Sequence, residues 1–244
     1  MTFQRPSTRL LTFYRSAPMP CPYLKGQSEQ QLFTELSGAT AQEQFEALSR
    51  GGFRRSHQVI YRPACRNCNA CIPVRVSVAN FEMTKSWRRI VNANSDLNAG
   101  NRGKNATDEQ FALFQRYVTT RHGDGEMANM TRRDYGAMIL TSPVESSIFE
   151  FRTPDRNLVA GCLVDHLSDG ISAVYSFFDP DCDRKSLGSY IVLWLIQHAR
   201  LHNLDHVYLG YWVEDSQKMA YKARFRPLEG FGPDGWREID STDC

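Results

Sequence analysis

The sequence predicts an α+β protein whose C-terminal half wraps strands around one central helix. Three observations carry this. Strand-like runs follow one another at 147–152, 158–166 and 171–178. A strongly apolar stretch at helical spacing covers 186–202, and a further strand, 206–209, leads out of it. The first hundred residues read differently, being basic, cysteine-bearing and punctuated by proline. They are assigned to a smaller α/β domain, 1–100, ahead of a larger one, 101–244.

Each element has a local reason. The opening TRLLTFYRS has strand composition, and Pro18, Pro20 and Pro22 exclude a helix after it. Ser28 with Gln31 reads as a capping box, predicting a short helix to Gly38. A helix over 41–50 follows, stopped by Gly51 and Gly52. Residues 53–61 and 74–78 read as strands, and 86–97 as a helix with Trp87, Arg88 and Arg89 in its first turn. The polar, glycine-rich 98–105 predicts a linker. Thr107 with Gln110 is a second capping box, opening a helix with Phe111, Phe114, Tyr117 and Val118 on one face. A short helix is expected over 132–140, another over 216–222, and a closing strand after that.

The composition is that of an ordinary globular chain, 41% apolar and 23% charged, which excludes collagen-like and disordered classes. The longest apolar run, 190–196, is far short of the ~20 residues that cross a bilayer. Arg and Pro interrupt the N-terminus before any signal-peptide core, so the expected location is cytoplasmic, with no membrane partner. The net charge of +2 conceals an imbalance: residues 1–100 carry 13 Lys and Arg against 6 Asp and Glu. Nine of those cations lie within 50–89 beside one acid, Glu82. Arginine so concentrated predicts an anionic partner, nucleic acid first, because its planar fork binds two oxygens together.

Cys65-x-x-Cys68-x-x-Cys71 has the spacing that turns successive thiolates toward one centre, with Cys21 as the fourth candidate. Two readings stand: a zinc or iron–sulfur centre, or reduced cysteines in a tight turn. In the C-terminal half, the strand–strand–helix–strand succession across 158–212 fits N-acetyltransferase-like (GNAT-like) acyltransferase domains. The helix start there, flanked by Arg184 and Lys185, offers free backbone N–H groups to a phosphate. Its loop, Arg184-Lys185-Ser186-Leu187-Gly188-Ser189, departs from the coenzyme A pattern, which weakens a coenzyme A reading. Lys218, Tyr221 and Lys222 fall on one face of the predicted helix beyond Tyr211, where Lys and Tyr could stabilise an oxyanion.

CPYLKGQSEQQLF, GFRRSHQVIYRPACRNCNACIPVRV, SWRRIVNANSDL, YSFFDPDCDRKSLGSYIVLWLI, YLGYWV and KMAYKARFRPLE follow one another in the pattern of the aminoacyl-tRNA–protein transferases. The chain resembles that family from about residue 10 to 230, and is most similar to its bacterial leucyl-transferring branch. The resemblance implies a tandem of acetyltransferase-like halves. It also implies transfer of leucine from leucyl-tRNA to the α-amine of proteins beginning with Asp or Glu, in the N-degron pathway, with no coenzyme A and no other cofactor needed for transfer. On that reading Lys218 and Tyr221 would hold the oxyanion, Tyr211 would line the site, and Asp179 would accept a proton. Arg54, Arg55 and Arg75 are the candidates for the acidic residue of the acceptor. Arg88, Arg89, Arg184 and Lys185 would serve tRNA phosphates. The rival expectations are a coenzyme A-dependent N-acetyltransferase and a non-catalytic, metal-dependent RNA-binding module.

Overall fold

A large sheet, a small sheet and a two-stranded ribbon organise the chain, a computed structural model that describes residues 11–123, 125–184 and 186–239. Lys185 of the predicted phosphate site, and the first three residues (8–10) of the expected opening strand, lie outside the described residues. The elements in order are β1 (Tyr14–Arg15), β2 (Met19–Pro20), β3 (Ser28–Glu29), β4 (Gln31–Glu35), α1 (Ala41–Arg50), β5 (Arg54–Ser56), β6 (Val59–Pro63), β7 (Ile72–Ser77) and α2 (Lys85–Asn92). There follow β8 (Asn98–Asn101), α3 (Asp108–His122), α4 (Arg132–Leu140), β9 (Ser146–Arg152), β10 (Leu158–Leu167), β11 (Gly170–Phe178), α5 (Leu187–Leu201), β12 (His206–Trp212), β13 (Leu228–Gly232) and β14 (Gly235–Glu238).

The small sheet has the order β1-β4-β6-β5 and the large one β14-β13-β7-β12-β11-β10-β9-β8. Every pairing in the large sheet is antiparallel except β11 with β12, whose connection is α5. Only Gly170–Ser172 pair with His206–Tyr208; beyond that point the two strands part. Each carries a bulge there. Val174 is the extra residue of β11 against β10, and Leu209 that of β12 against β7.

Helix α5 packs against the sheet through Leu187, Ile191, Val192, Leu193, Leu195 and Ile196. Each such side chain contributes ~1.5–3 kcal/mol of burial. An N-cap is worth only ~1 kcal/mol, so α5 forms although Ser186 supplies no cap bond. The capping box of α3 is present in full, with Thr107 Oγ1 accepting from Gln110 N and Gln110 Oε1 accepting from Thr107 N.

Three expectations are corrected. The helix predicted from Ser28 is two successive strands in different sheets, β3 and β4: Ser28 Oγ donates to the Met19 carbonyl instead of capping, β3 pairs with β2, and β4 pairs with β6. The linker at 98–105 begins as β8, the edge strand of the large sheet. The short helix expected over 216–222 is a 3-10 turn at Ala220–Arg224. The chain division at residue 100 is crossed by the sheet, because β7 is inserted between β12 and β13.

Candidate active site

Where β11 and β12 part, a cleft of about 730 Å³ opens, bounded by β11, the start of α5, Leu209 and the segment 218–222. Its inner end, the buried part of the lining, is apolar apart from Lys222 and is formed by Cys162, Leu187, Ile191, Val192, Leu195 and Leu209, with half-buried Met219 beside them. One wall is aromatic, with Tyr117, Tyr175 and Phe178; the Tyr117 and Phe178 rings lie 4.8 Å apart. Arg54, Arg121, Arg184 and Lys218 bring cations to it, and Lys222 brings an amine. Among the described lining residues Asp179 is the one carboxylate.

Arg54 reaches this cleft from the small sheet. Its Nη2 donates to the Val174 carbonyl at 2.6 Å, an acceptor that the bulge in β11 withdraws from the ladder. Among the described residues no carboxylate pairs with it. The other two arginines expected in an acid pocket are committed elsewhere, which corrects both. Arg55 is buried and forms a two-pronged pair with Asp165, 2.6 Å on each side, with the Asp165 carboxylate also accepting from Ser146. Arg75, on β7, is bonded to Glu229 of the neighbouring β13 at 2.6 Å and set over the Trp236 ring of β14. A sequence displays such charges without their counter-ions, since Asp165 and Glu229 come from distant strands.

Tyr211 is likewise corrected. Its hydroxyl donates to the carbonyls of Tyr61 at 2.9 Å and Gly52 at 3.3 Å, within the small sheet. The bulge at Leu209 resets the alternation of β12, so Leu209 and Trp212 face the main core while Tyr208 and Tyr211 face the other side. Burial holds the Tyr211 phenol above the usual tyrosine range. Asp179 stands at the cleft but is bound by Arg116, and its Oδ1 accepts from the Asp181 N–H at 3.1 Å, so it is no free base. Arg184 lines the cleft while paired with Asp96 at 2.5 and 2.6 Å. Arg88 and Arg89 are exposed on α2, outside the lining, with Arg88 bonded to the Met83 carbonyl. Lys218 and Tyr221 line the cleft, both exposed.

Lys222 is the residue that sequence reasoning placed on the right face yet did not nominate. It is only 5% exposed, and its Nζ donates to the Tyr211 carbonyl at 2.5 Å. Burial, reinforced by the Arg54 charge, holds its pKa well below the ordinary lysine value. The available signal is the spacing Met219, Lys222, Phe225, which sets a lysine in an apolar stripe at the 3-10 period.

Cys21, Cys65, Cys68 and Cys71 are half-buried and free. Burial, then the neighbouring Cys21, Cys65 and Cys68, push the Cys71 thiol up to about 12, so the four share one region. Their chemistry is that of a zinc or iron–sulfur centre. Their geometry does not fit one: among the described residues no three Cys, His, Asp or Glu side chains stand where one ion could be held. Cys65 Sγ is directed to the Gln30 carbonyl, and Cys21 Sγ accepts from the Leu24 N–H. Also among the described residues, no helix is long and apolar enough to cross a membrane.

Comparison with known proteins agrees over nearly the whole chain. The model for the N terminus of arginine-tRNA-protein transferases matches residues 19–89, and that for the C terminus matches 109–232. An aspartate/glutamate leucyltransferase of Paramagnetospirillum magneticum is 50% identical over 95% of this chain and 95% of its own. A protein of the same name from Rhodospirillum rubrum is 50% identical over 97% of each chain. Among solved structures, the L-PGS of Bacillus licheniformis superposes with a TM-score of 0.46 and 11% identity over 59% of this chain and 47% of that one.

Proposed function

The chain belongs to the arginine-tRNA–protein transferase family, and on that premise we propose that it moves leucine from leucyl-tRNA to the α-amine of a protein beginning with Asp or Glu. The observation that carries the acceptor side is Arg54: a half-buried guanidinium in the cleft, without a carboxylate partner among the described residues. An acidic N-terminal side chain supplies that partner, and a charge-assisted bond of this kind is worth ~1.5–3 kcal/mol.

The donor side rests on the inner end of the cleft. Its apolar lining accepts a branched aliphatic side chain. An arginyl group there would meet the Arg54 guanidinium and find no free carboxylate among the described lining residues. The tRNA end would enter along the cationic mouth, past Arg121, Arg184 and the uncapped backbone at the start of α5.

The ester of an aminoacyl-tRNA is already an activated acyl group, so this reading needs no coenzyme. Holding amine and ester in line supplies up to ~7–11 kcal/mol. Lys218 and Tyr221, exposed on the cleft, provide N–H and O–H donors to the developing oxyanion. The test offers leucyl-tRNA to peptides starting with Asp, Glu and Ala. N-terminal leucine should appear on the first two by mass spectrometry. Absence of transfer, or acylation only from acetyl-coenzyme A, sinks this reading.

A further inference from the structure

We propose that the ε-amine of Lys222 takes the proton from the acceptor nitrogen in the tetrahedral intermediate and passes it to the ribose oxygen as the ester bond breaks. This rests on the leucyl-transfer reading of the cleft and adds the group that makes its chemistry run forward.

The geometry is that of a neutral amine. Lys222 Nζ has two protein acceptors, the Tyr211 carbonyl at 2.5 Å and the Met219 thioether at 3.5 Å. No carboxylate pairs with it among the described residues, and an ammonium buried without one is costly. A neutral –NH₂ has two N–H donors, which these acceptors satisfy, and a lone pair left over. The lone pair is what a base needs, and the residue lines the cleft. The groups that face it are few. From β5 comes the Arg54 guanidinium, and from β12 the Tyr211 carbonyl, the Tyr211 phenol being bonded into the small sheet. From its own segment comes Met219. Desolvation and Arg54 both oppose protonation, so the two influences act in one direction.

The reaction requires such a group at one defined moment. A neutral α-amine attacks the ester carbon, the C–N bond forms, and the carbonyl oxygen becomes an oxyanion. The nitrogen now carries a positive charge. With a conjugate-acid pKa of ~7.7–8.0 the amine is a far better leaving group than an alkoxide, so the intermediate reverts until that proton is removed. Lys222 removes it, the carbonyl reforms, and the C–O bond to the ribose breaks. The Lys222 ammonium then returns the proton to the departing ribose oxygen. The products are an amide and a free tRNA hydroxyl, and Lys222 ends neutral.

The test uses the full chain with leucyl-tRNA and an Asp-starting peptide. Lys222→Met keeps the length and apolar stem but removes the nitrogen. Its kcat should fall at least ~100-fold, as for loss of a general base, while leucyl-tRNA binding stays within about threefold. From about pH 6 to 9 the wild-type kcat should rise through two ionisations, those of Lys222 and the acceptor amine, and the variant should keep only the acceptor's. An aminooxy-terminated acceptor, whose nitrogen sheds its proton readily, should recover part of the lost rate; a purely structural role gives no such rescue. Independently, ε-¹³C-lysine NMR of the wild type should show one resonance, missing in the variant, that titrates below the ordinary ~10.4. Should Lys222→Met not fold, Lys222→Gln keeps an N–H for the Tyr211 carbonyl without the lone pair. A kcat within about tenfold of wild type, or a Lys222 resonance titrating near ~10.4, overturns the proposal. If the wild type transfers leucine and the variants keep its rate, this inference alone fails; if the wild type transfers none, the functional reading fails with it.

Discussion

Gly210 and Arg54 leave no room for a methyl group between them: a Cβ at 210 would stand 2.9 Å from Arg54 Cζ and closer still to Nη1. Gly210 also holds a φ of +73°, where an L side chain costs ~1–2 kcal/mol. Gly210→Ala is therefore expected to push Arg54 off the Val174 carbonyl and raise KM for an Asp-starting peptide about tenfold or more. Stability should drop by ~1–3 kcal/mol. Steady-state kinetics and a thermal melt measure both, and an unchanged KM would detach Arg54 from acceptor binding.

The three arginines of the basic segment should separate cleanly on mutation. Arg54→Ala is expected to erase the preference for Asp- over Ala-starting peptides, a loss of ~1.5–3 kcal/mol in relative kcat/KM. Arg75→Ala should leave that preference intact, since its guanidinium is held by Glu229 and Trp236 outside the cleft lining. A preference that survives in Arg54→Ala and vanishes in Arg75→Ala would reverse the assignment.

Arg55 with Asp165 ties the small sheet to β10, with both side chains almost wholly buried. Removing one partner strands the other charge, which costs ~3–5 kcal/mol. Asp165→Ala should lower the urea midpoint accordingly, and Arg55→Ala should do the same. The two losses together should fall well short of additive in the double variant, because they report one interaction.

Donor choice can be read without any substitution. Leucyl-tRNA and arginyl-tRNA offered with one Asp-starting peptide should differ at least ~100-fold in kcat/KM in favour of leucine. The reason is the cost of burying a guanidinium with no counter-ion at the inner end of the cleft. Comparable rates from the two donors would mean that the side chain lodges elsewhere.

Much of this architecture could be read in advance, and the failures have physical causes. Strands β9 and β10 announce themselves as short apolar, β-branched and aromatic runs, buried here on both faces, and helix α5 as an apolar run too long for a strand. β4 did not, because Ser28 and Gln31 imitate a capping box while its pairing partner, β6, comes later in the chain. Tyr211 was misplaced because a single bulge at Leu209 turns it to the opposite face. Arg55 and Arg75 were misplaced because charge is visible in a sequence and pairing is not. Lys222 needed the structure, since burial is what separates it from Lys218.

Acid should weaken the fold through Asp169. Burial alone would raise its carboxyl, but His206 beside it and bonds from Tyr208 and Arg50 prevail and hold it far below the usual carboxylate range. A folded-state pKa below the unfolded ~3.9 stabilises the fold above that value. The contribution drains away as pH falls through the folded-state pKa. Wild-type stability should therefore decline below about pH 4, and Asp169→Asn should show a shallower decline in urea titrations across the same range. Parallel slopes in the two proteins would remove Asp169 from the acid response.

The position of β7 sets the order in which the enzyme can come into being. Its neighbours on either side, β12 and β13, are synthesised long after it. A nascent chain emerging from the ribosome therefore carries an unpaired β7 until almost the last strand is made, when both its flanks are filled. Neither half could be expressed alone and rejoined without first leaving that gap exposed, and a ribosome stalled short of β13 holds a polypeptide whose main sheet is still open beside β7.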